Sequence, residues 1–323
     1  MPAPLPVIID TDPGVDDALA LVVASLSPEL DVLAITTVAG NVDLTSATEN
    51  AQRVAAVAWA GRPPPKIYRG GSAASETALH VHGDDGLGGV ATLLDREGRS
   101  LYPPSAEVSA GDAVDAIAAM AAERPGEVTL VTLGPLTNAA SLFRRYPESA
   151  RRLRELVVMG GAFREPGNVT STAEFNIYVD PDAAQCVCDS GAAIRWVPVD
   201  VTHRCLLYGE DLDRLPETPL VRFVRQIVPW CFRFHETYHG EWAMYLHDPA
   251  AVGAVIWPEL LQTTPLRVDV ETAGRVTLGM TIADFRPIGY HATHVPNAAV
   301  CLDVDASELV RRILDRLSST PNA

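Results

Sequence analysis

Four aspartates within eight residues form the part of the sequence best suited to chemistry. Asp10, Asp12, Asp16 and Asp17 lie in the segment VIIDTDPGVDD, which begins at Val7 with an apolar run typical of a buried strand. Carboxylates this close repel one another unless a cation neutralises them or some take up protons. Oxygen ligands from carboxylates favour a hard cation such as Ca²⁺ or Mg²⁺. The segment therefore predicts a metal or catalytic site in addition to a Pro-Gly turn with a capping aspartate.

Polar residues also follow three later strand-like segments. They are Asn41 after Gly40, the segment GPLTN at 134–138, and a long run from Met159 that carries Asn168, Glu174 and Asn176. Ligands of parallel sheets bind outside the carboxyl ends of the strands, so we expect these loops to meet the acidic segment. Amide and carboxylate side chains suit the hydroxyls of a sugar, which both donate and accept hydrogen bonds.

Histidines stand at two further points of the chain. His247 precedes Asp248 and Pro249; Asp248 suits a helix cap, and a histidine beside an acid suits a general acid near neutral pH. His80 and His82 lie two residues apart in a long loop, a spacing compatible with a metal site or with a solvated loop. On the residues alone, the structural and the chemical interpretations of each pair stay open.

The elements that must position these residues alternate between strands and helices. Strand-like runs stand at 7–9, 31–38, 66–69, 127–133, 155–159 and 194–199. Helix-like segments begin at Asp16 and near 134, and span 43–60, 111–123 and 180–190. This order predicts an α/β protein with a single Rossmann-like, open and mostly parallel sheet that has helices on both faces. We expect one domain over 1–323.

The pattern changes after residue 200. It predicts helices at 219–239, after Pro249 and at 306–317, and a strand at 298–304. Two strand-like runs at 265–271 and 275–283 flank a Thr-Ala-Gly turn and predict an antiparallel hairpin. The stretch 70–105 has few periodic signals, and long loops of this kind are often functional.

The bulk composition limits the partners and the compartment. The formal net charge of −16 speaks against a nucleic acid or an anionic membrane as the main ligand. The five cysteines are irregularly spaced, which favours core residues in a reducing compartment over zinc ligands or disulfides. The first residues lack the pattern of a signal peptide, and no stretch approaches the roughly 20 apolar residues of a membrane span. We therefore expect a cytoplasmic protein.

Taken together, these motifs resemble those of the inosine–uridine-type nucleoside hydrolases. The matching stretches run in order along nearly the whole chain: VIIDTDPGVDDALAL from Val7, AITTVAGN at 34–41, HVHGDDGLGG at 80–89, TLGPLTNAA at 132–140, VVMGGAF at 157–163, AEFNI at 173–177, HDPAAV at 247–252 and GRVTLGMTIADFR at 274–286. The acidic segment by itself is fairly specific, and its combination with AEFNI and HDP is very specific. The resemblance implies the nucleoside hydrolase fold with a Ca²⁺ at the carboxyl end of the sheet.

The resemblance also implies a role for individual residues. The expected Ca²⁺ ligands are the carboxylates of Asp12, Asp17 and Asp248 and the main-chain carbonyl of Leu133, where the family usually has threonine. Asp10 is expected to orient this site. The expected substrate contacts are Asp16, Asn41, His82, Met159, Asn168, Glu174, Phe175, Asn176 and Tyr238, with Phe234 near the base.

The implied reaction is hydrolysis of the N-glycosidic bond of a ribonucleoside to free base and ribose. Asp12 would act as general base on a water that the cation activates, and His247 would protonate the leaving base. The presence of His247 favours an inosine/uridine or cytidine/uridine preference over a purine-only one. A homodimer or homotetramer that serves nucleoside salvage or catabolism is the expectation for such a protein.

Two other functions are compatible with part of this sequence pattern. A haloacid-dehalogenase-like phosphatase also begins with a strand that ends in Asp-x-Asp, but it has Thr or Val where Gly14 stands, and it uses a lysine that is hard to place, since Lys66 is the only one in this chain. A non-catalytic nucleoside-binding protein would need neither the general base Asp12 nor the acid His247. Detection of free ribose and base separates the three.

Overall fold

The computed structural model describes residues 3–72, 77–287 and 295–319. The strands in chain order are β1 (Leu5–Thr11), β2 (Leu30–Thr37), β3 (Lys66–Arg69), β4 (Val108–Asp112), β5 (Thr129–Thr132), β6 (Glu155–Met159), β7 (Ile194–Val197), β8 (Leu206–Tyr208), β9 (Ala243–Tyr245), β10 (Leu261–Leu266), β11 (Val268–Val270), β12 (Thr281–Ala283) and β13 (Ala298–Val304).

The α-helices in chain order are α1 (Val15–Ser25), α2 (Leu44–Ala58), α3 (Leu79–His82), α4 (Ala113–Glu123), α5 (Thr137–Arg145), α6 (Pro147–Ala150), α7 (Phe175–Val179), α8 (Pro181–Cys188), α9 (Val199–Thr202), α10 (Gly209–Asp213), α11 (Pro219–Ile227), α12 (Pro229–His239), α13 (His247–Ile256) and α14 (Ala306–Ser318). No helix among the described residues is long and apolar enough to cross a membrane.

One large sheet organises the described residues. Nine strands lie in the order β10-β13-β7-β6-β5-β1-β2-β3-β4. Every neighbouring pair in this sheet is parallel except β10 with β13, which is antiparallel and lies at one edge. The predicted fold class is therefore confirmed, including the helices on both faces. The prediction of a single domain over 1–323 stays a prediction.

The central strand β1 shows how the sheet divides its side chains between two cores. Val7 and Ile9 pack in the core shared with α1, α13 and α14, whereas Ile8 packs in the core shared with α4, α5 and α8. Because successive residues of a strand point to opposite faces, Asp10 faces the side of α5 and Thr11 faces the side of α1. The strand thereby delivers one polar side chain to each face at its carboxyl end.

Asn138 in the first turn of α5 ties the carboxyl ends of the neighbouring strands together. Its side-chain Nδ2 donates to Asp10 Oδ1 (2.8 Å) and to the carbonyl of Thr37 (3.1 Å), and its Oδ1 accepts from the N–H of Gly71 (2.8 Å). Asp10 Oδ1 also accepts from the hydroxyl of Thr36 at 2.5 Å. Asn138 is fully buried, so these bonds fix β1, β2 and the loop after β3 relative to one another.

Two sequence predictions about secondary structure were wrong in detail, and one strand was missed. The predicted helix 219–239 is two helices, because Pro229 has no N–H to continue α11 and instead begins α12. The predicted hairpin exists, but only β11 and β12 pair, so its second strand starts at Thr281 and not at 275. The strand β4 was not predicted at all.

Two other predicted segments also differ. The helix predicted to follow Pro249 begins two residues earlier, at His247, so Asp248 lies in its first turn and is not its cap. The predicted loop 70–105 contains the short helix α3 and a 3-10 turn at Val90–Thr92. Residues 73–76 of that loop lie outside the described part of the chain.

Replacing Asn138 with alanine should lower the free energy of unfolding by about 2–4 kcal/mol, because buried backbone and carboxylate groups lose their partners. Urea unfolding followed by circular dichroism measures this loss. Thr92→Ala is the matched control: its exposed hydroxyl donates only to the carbonyl of Gly89, so its effect should stay below about 0.5 kcal/mol. Equal effects of the two substitutions would contradict the proposed tying role.

Candidate functional site

Asp17 closes the turn between β1 and α1. Its Oδ2 accepts from the N–H of Gly14 (2.9 Å), the reciprocal bond of a helix capping box, and from Asn41 Nδ2 (3.0 Å). Its Oδ1 accepts from the hydroxyl of Thr11 at 2.5 Å. These donors hold the carboxylate at the amino end of α1, where the helix dipole favours negative charge.

Asp16, Asp17 and Asp248 form a compact group of buried carboxylates that has the geometry to hold a metal ion. One oxygen from each lies within 4.8 Å of the others. Asp248 comes from the first turn of α13, more than 230 residues along the chain, and α13 packs directly on α1. The pairing of two buried helices thus brings together acids that the sequence separates.

Asp12 lies next to this group, but it is not one of the three carboxylates whose oxygens lie close enough together to share a metal ion. Its Oδ2 accepts from the N–H of Asn41 at 2.6 Å, whereas its Oδ1 has no hydrogen-bond partner. Asp16 Oδ1 is likewise buried without a partner. Buried acceptors of this kind are costly unless a ligand satisfies them, so the unpartnered oxygens are consistent with a bound cation.

Two glycines leave room for the carboxylate of Asp12. A Cβ atom at Gly40 or at Gly134 would overlap the carboxylate oxygens. Similarly, a Cβ at Gly14 would lie 2.8 Å from Asn41 Nδ2 and 2.9 Å from His82 Nδ1. The absence of side chains at these three loop positions is therefore a condition for the arrangement of the acids.

Burial and mutual repulsion shift the pKa of Asp12, Asp16 and Asp248 upward. Burial, then the charges of neighbouring carboxylates, raises the pKa of Asp12 and of Asp248 well above the ordinary value. The same causes raise the pKa of Asp16 to about 8. Without a cation, the site therefore retains protons near neutral pH.

Glu174 and Asn176 are held by the loop after β6 and by the start of α7. Glu174 caps α7 by accepting from the N–H of Asn176 (3.0 Å), and its other oxygen accepts from the N–H of Gly161 (3.1 Å). Asn176 Nδ2 donates to the carbonyls of Leu133 (2.6 Å) and Met159 (3.2 Å). Burial raises the pKa of Glu174 to about 7.

His82 and His247 face the acids from other elements; His82 is buried and His247 is partly buried. His82 Nδ1 accepts from the N–H of Val15 at 3.2 Å, while His247 Nδ1 lies 2.7 Å from the hydroxyl of Thr202. Burial lowers the pKa of His82 to about 4 and that of His247 well below its usual value. Both rings are therefore neutral near neutral pH.

A cleft of about 580 Å³ joins these groups. The predicted site residues that line it are Asp16, Asn41, His82, Leu133, Met159, Asn168, Glu174, Phe175, Asn176, Tyr238, His247 and Asp248. Asp10, Asp12 and Asp17 are fully buried and do not form part of its surface. Asn168 is itself exposed at the rim, where its Oδ1 accepts from the N–H of Phe175 (2.9 Å).

Several aromatic residues of the cleft were missed by the sequence analysis. His203, His235, His239 and Tyr245 line it together with Phe234, and the ring centroids of His203 and His235 lie 4.5 and 4.8 Å from that of Tyr245. The only local signal was the spacing of His235 and His239, which places both on one face of α12. None of the residues lining the cleft, within the described ranges, is Lys or Arg.

A larger groove of about 1170 Å³ lies elsewhere on the molecule. It is lined by the end of α1, the first residues of β2 and the proline segment after α2. It is therefore remote from the carboxyl ends of the strands, and it has no cluster of buried carboxylates among its lining residues. The smaller cleft is the candidate active site.

Comparison with known proteins gives one consistent family. Residues 7–311 match the family described as inosine-uridine preferring nucleoside hydrolase. The pyrimidine-specific ribonucleoside hydrolase RihA of Salmonella paratyphi B is 37% identical over 97% of this chain and 98% of its own length. The inosine-uridine preferring nucleoside hydrolase of Crithidia fasciculata is 39% identical over 88% of this chain and 89% of its own. A solved purine-preferring ribonucleoside hydrolase from Gardnerella vaginalis has a TM-score of 0.87 and 30% identity, with coverage of 97% of this chain and 98% of that one.

The metal-free protein should lose stability as the pH rises. Burial raises the pKa of Asp10 and Glu174 to about 7 and that of Asp16 to about 8, from ordinary values of 3.8 for aspartate and 4.5 for glutamate. A pKa that is higher in the folded state gives stability that is complete below about pH 4 and is lost as the pH passes through 7 to 8. Because the histidines with a lowered pKa oppose this loss below their ordinary value of 6.5, in EDTA we expect Tm to fall between about pH 6.5 and pH 9, and excess Ca²⁺ to offset the fall.

Scanning calorimetry across that pH range, with and without EDTA, measures the effect. Asp16→Asn should flatten the fall because it removes one of the shifted groups. The exposed Asp213→Asn serves as the control and should leave the pH dependence unchanged. A Tm in EDTA that rises with pH through this window would show that the shifts have the opposite sign.

Proposed function

The chain belongs to the inosine-uridine preferring nucleoside hydrolase family and is a hydrolase acting on ribonucleosides, and from this premise we propose that it cleaves the N-glycosidic bond in a Ca²⁺-dependent reaction. In this proposal, Asp12 is the general base for the attacking water and His247 is the acid for the leaving base. One observation carries it: buried carboxylates with unpartnered oxygens and a partly buried histidine meet at the same cleft.

The proposed metal ligands are the carboxylates of Asp12, Asp17 and Asp248 and the carbonyl of Leu133. The donor set consists of oxygen alone, which suits Ca²⁺, and the unpartnered Asp12 Oδ1 is available to such an ion. When bound, Ca²⁺ would supply positive charge that lowers the pKa of water and helps to align it. The carbonyl of Leu133 already accepts from Asn176, but a carbonyl oxygen has a second lone pair.

Asp12 has the surroundings that a general base needs. The N–H of Asn41 fixes one oxygen, and the absence of side chains at Gly40 and Gly134 leaves room for the carboxylate. The attacking water gives its hydroxyl to the anomeric carbon and its proton to Asp12. Because the carboxylate of Asp10 accepts hydrogen bonds from Thr36 of β2 and from Asn138 of α5, its proposed role is to hold the end of β1 in place.

The ribose is proposed to lie between the acids and the loop after β6. Its hydroxyls would contact the carboxylates and amides that line this part of the cleft: Asp16, Asn41, Asn168, Glu174 and Asn176. Met159 and Phe175 supply apolar contact beside them. As the bond to the base lengthens, positive charge develops on the ribose, and the nearby carboxylates stabilise that charge.

The base is proposed to lie on the side of the cleft that carries His82, Tyr238 and His247. The protonated ring of His247 gives its Nε2 proton to the departing base while the carbon–nitrogen bond breaks, and the neutral ring that remains keeps its proton on Nδ1. The lowered pKa of His247 makes its protonated ring a stronger acid. The fraction of the protein that carries this proton decreases as the pH rises. With the base Asp12 and the acid His247 on different sides of the sugar, water attacks directly and the anomeric carbon is inverted.

The charges of the cleft favour an uncharged nucleoside over a nucleotide. The described lining residues include Asp16, Glu174 and Asp248 but no Lys or Arg that would pair with a phosphate. This arrangement also weighs against a phosphatase. The named relatives differ in base preference, and the preference proposed for this chain is inosine/uridine or cytidine/uridine. A cytoplasmic location, a homodimer or homotetramer, and a role in nucleoside salvage stay predictions.

Initial rates on inosine, adenosine, uridine and cytidine test the proposed function. We expect free ribose and free base from at least one of them, loss of turnover in EDTA, and recovery with added Ca²⁺. Asp12→Asn should lower kcat by at least about 10³-fold on every substrate because the attacking water loses its base. Asp213→Asn is the control and should retain full activity. Full turnover after exhaustive chelation, or the absence of free ribose, would exclude the proposed reaction.

Replacing His247 with alanine should separate the leaving group from the rest of the chemistry. We expect kcat on inosine or uridine to fall by about 10²–10⁴-fold, the usual contribution of a general acid. Cleavage of a nitrophenyl riboside should be nearly unchanged, because nitrophenolate leaves without a proton. Parallel assays of both substrates measure the difference, and an equal loss on both would remove His247 from the acid role.

A further inference from the structure

Thr202 is a buried residue beside the cleft that no motif singled out. Its hydroxyl lies 2.7 Å from His247 Nδ1, and the residue is fully buried. We propose that Thr202 is a positioning residue that holds the ring of His247 with a protonated Nε2 toward the leaving base. This inference rests on the proposed role of His247 and adds a residue to it.

The backbone on both sides of this contact is fixed by other parts of the fold. Helix α9, which carries Thr202, is anchored by the N–H of Val199 to the carbonyl of Gly161 (3.0 Å). The carboxylate of Asp200, in the same helix, accepts from the N–H groups of Phe163 and Arg164. Thr202 therefore does not lie on a free loop, and these hydrogen bonds fix its position relative to His247.

The segment that carries His247 is tied back to the same region. The N–H of Leu246 donates to the carbonyl of Cys205 at 2.8 Å, three residues after Thr202. Strands β8 and β9 pair with Leu206 opposite Tyr245. These bonds bring the two segments together from positions 45 residues apart, so the contact between hydroxyl and imidazole follows from the fold.

The direction of this hydrogen bond follows from the partners available. Within residues 3–72, 77–287 and 295–319, the hydroxyl of Thr202 has no partner other than His247 Nδ1, and Nδ1 has no other partner. If a neutral His247 donated from Nδ1, the buried hydroxyl hydrogen of Thr202 would have no acceptor. In the neutral ring the hydroxyl therefore donates to Nδ1 and the ring hydrogen is on Nε2, whereas in the protonated ring that acts as the acid the same hydroxyl accepts from the Nδ1 hydrogen.

The protonated nitrogen is then the one on the side of the substrate. His247 lines the cleft and Thr202 does not, so Nδ1 points into the protein and Nε2 points away from it. The rings of His203 and Tyr245 lie with their centroids 5.5 Å from that of His247, and neither makes a hydrogen bond to it. Without the hydroxyl, the neutral ring can place its hydrogen on Nδ1 and leave a bare acceptor toward the base.

The test compares Thr202→Val, which keeps the shape and removes the hydroxyl, with Thr202→Ser, which keeps the hydroxyl. We expect the valine variant to lower kcat on inosine or uridine by about 10–100-fold and to leave the nitrophenyl riboside within about 3-fold of wild type. The serine variant should stay within about 3-fold on both substrates. A thermal melt of each variant checks that it is folded.

A second measurement does not depend on activity. Long-range ¹H–¹⁵N spectra of protein labelled at histidine identify which ring nitrogen carries the hydrogen, and His247→Ala assigns the signal. Wild type and Thr202→Ser should show a hydrogen on Nε2, whereas Thr202→Val should gain the Nδ1 form. An unchanged spectrum and an unchanged kcat in Thr202→Val would overturn the proposal, as would an equal loss on both substrates or failure of serine to replace threonine.

The controls distinguish this proposal from those on which it rests. Wild type that cleaves no nucleoside refutes the proposed function. A wild type that cleaves nucleosides, together with a His247→Ala variant that loses both substrates equally, refutes the acid role. Selective loss in His247→Ala without selective loss in Thr202→Val refutes the role of Thr202 alone.

Discussion

The mutual repulsion of buried carboxylates is the constraint on which the rest of the site depends. Asp12, Asp16, Asp17 and Asp248 are withdrawn from water, and their charges oppose one another. A fold keeps such a group only if protons or a cation compensate the charge. The donors around Asp17, the glycine cradle of Asp12 and the packing of α13 on α1 all serve to hold these acids in spite of the electrostatic cost.

The part of the site that could be predicted from the sequence consists of residues that lie close together along the chain. The continuous apolar run Val7, Ile8 and Ile9 is followed at once by acids and a Pro-Gly turn. This order indicates a buried strand that ends at a functional site. The alternation of strand-like and helix-like segments predicts most of the parallel sheet. The strand β4 escaped prediction because VSAGD is short and contains glycine, and the break at Pro229 was hidden within a continuous apolar pattern.

Contacts that depend on the tertiary fold could not be predicted in the same way. His203 and Tyr245 meet because two three-residue strands, β8 and β9, pair with each other, and strands that short have no distinctive pattern. Asn138 stood within a recognised motif, yet its bonds to Asp10, Thr37 and Gly71 follow only from the order of the strands. The side of the cleft built from the acidic segment and the loop after β6 is therefore largely evident from the motifs, whereas the aromatic side, built from α12 and β9, is not.

The cradle around Asp12 also bears on how this site tolerates change. Gly40 and Gly134 have no side chain with which to contact the carboxylate of Asp12. Even the methyl group of an alanine at either position would occupy the space of the Asp12 oxygens. In a saturation screen, both positions would rank with the active-site acids as intolerant, although neither supplies a functional group. Substitution at these two positions is thus limited by the lack of free volume beside the carboxylate, a constraint that a list of functional groups would not reveal.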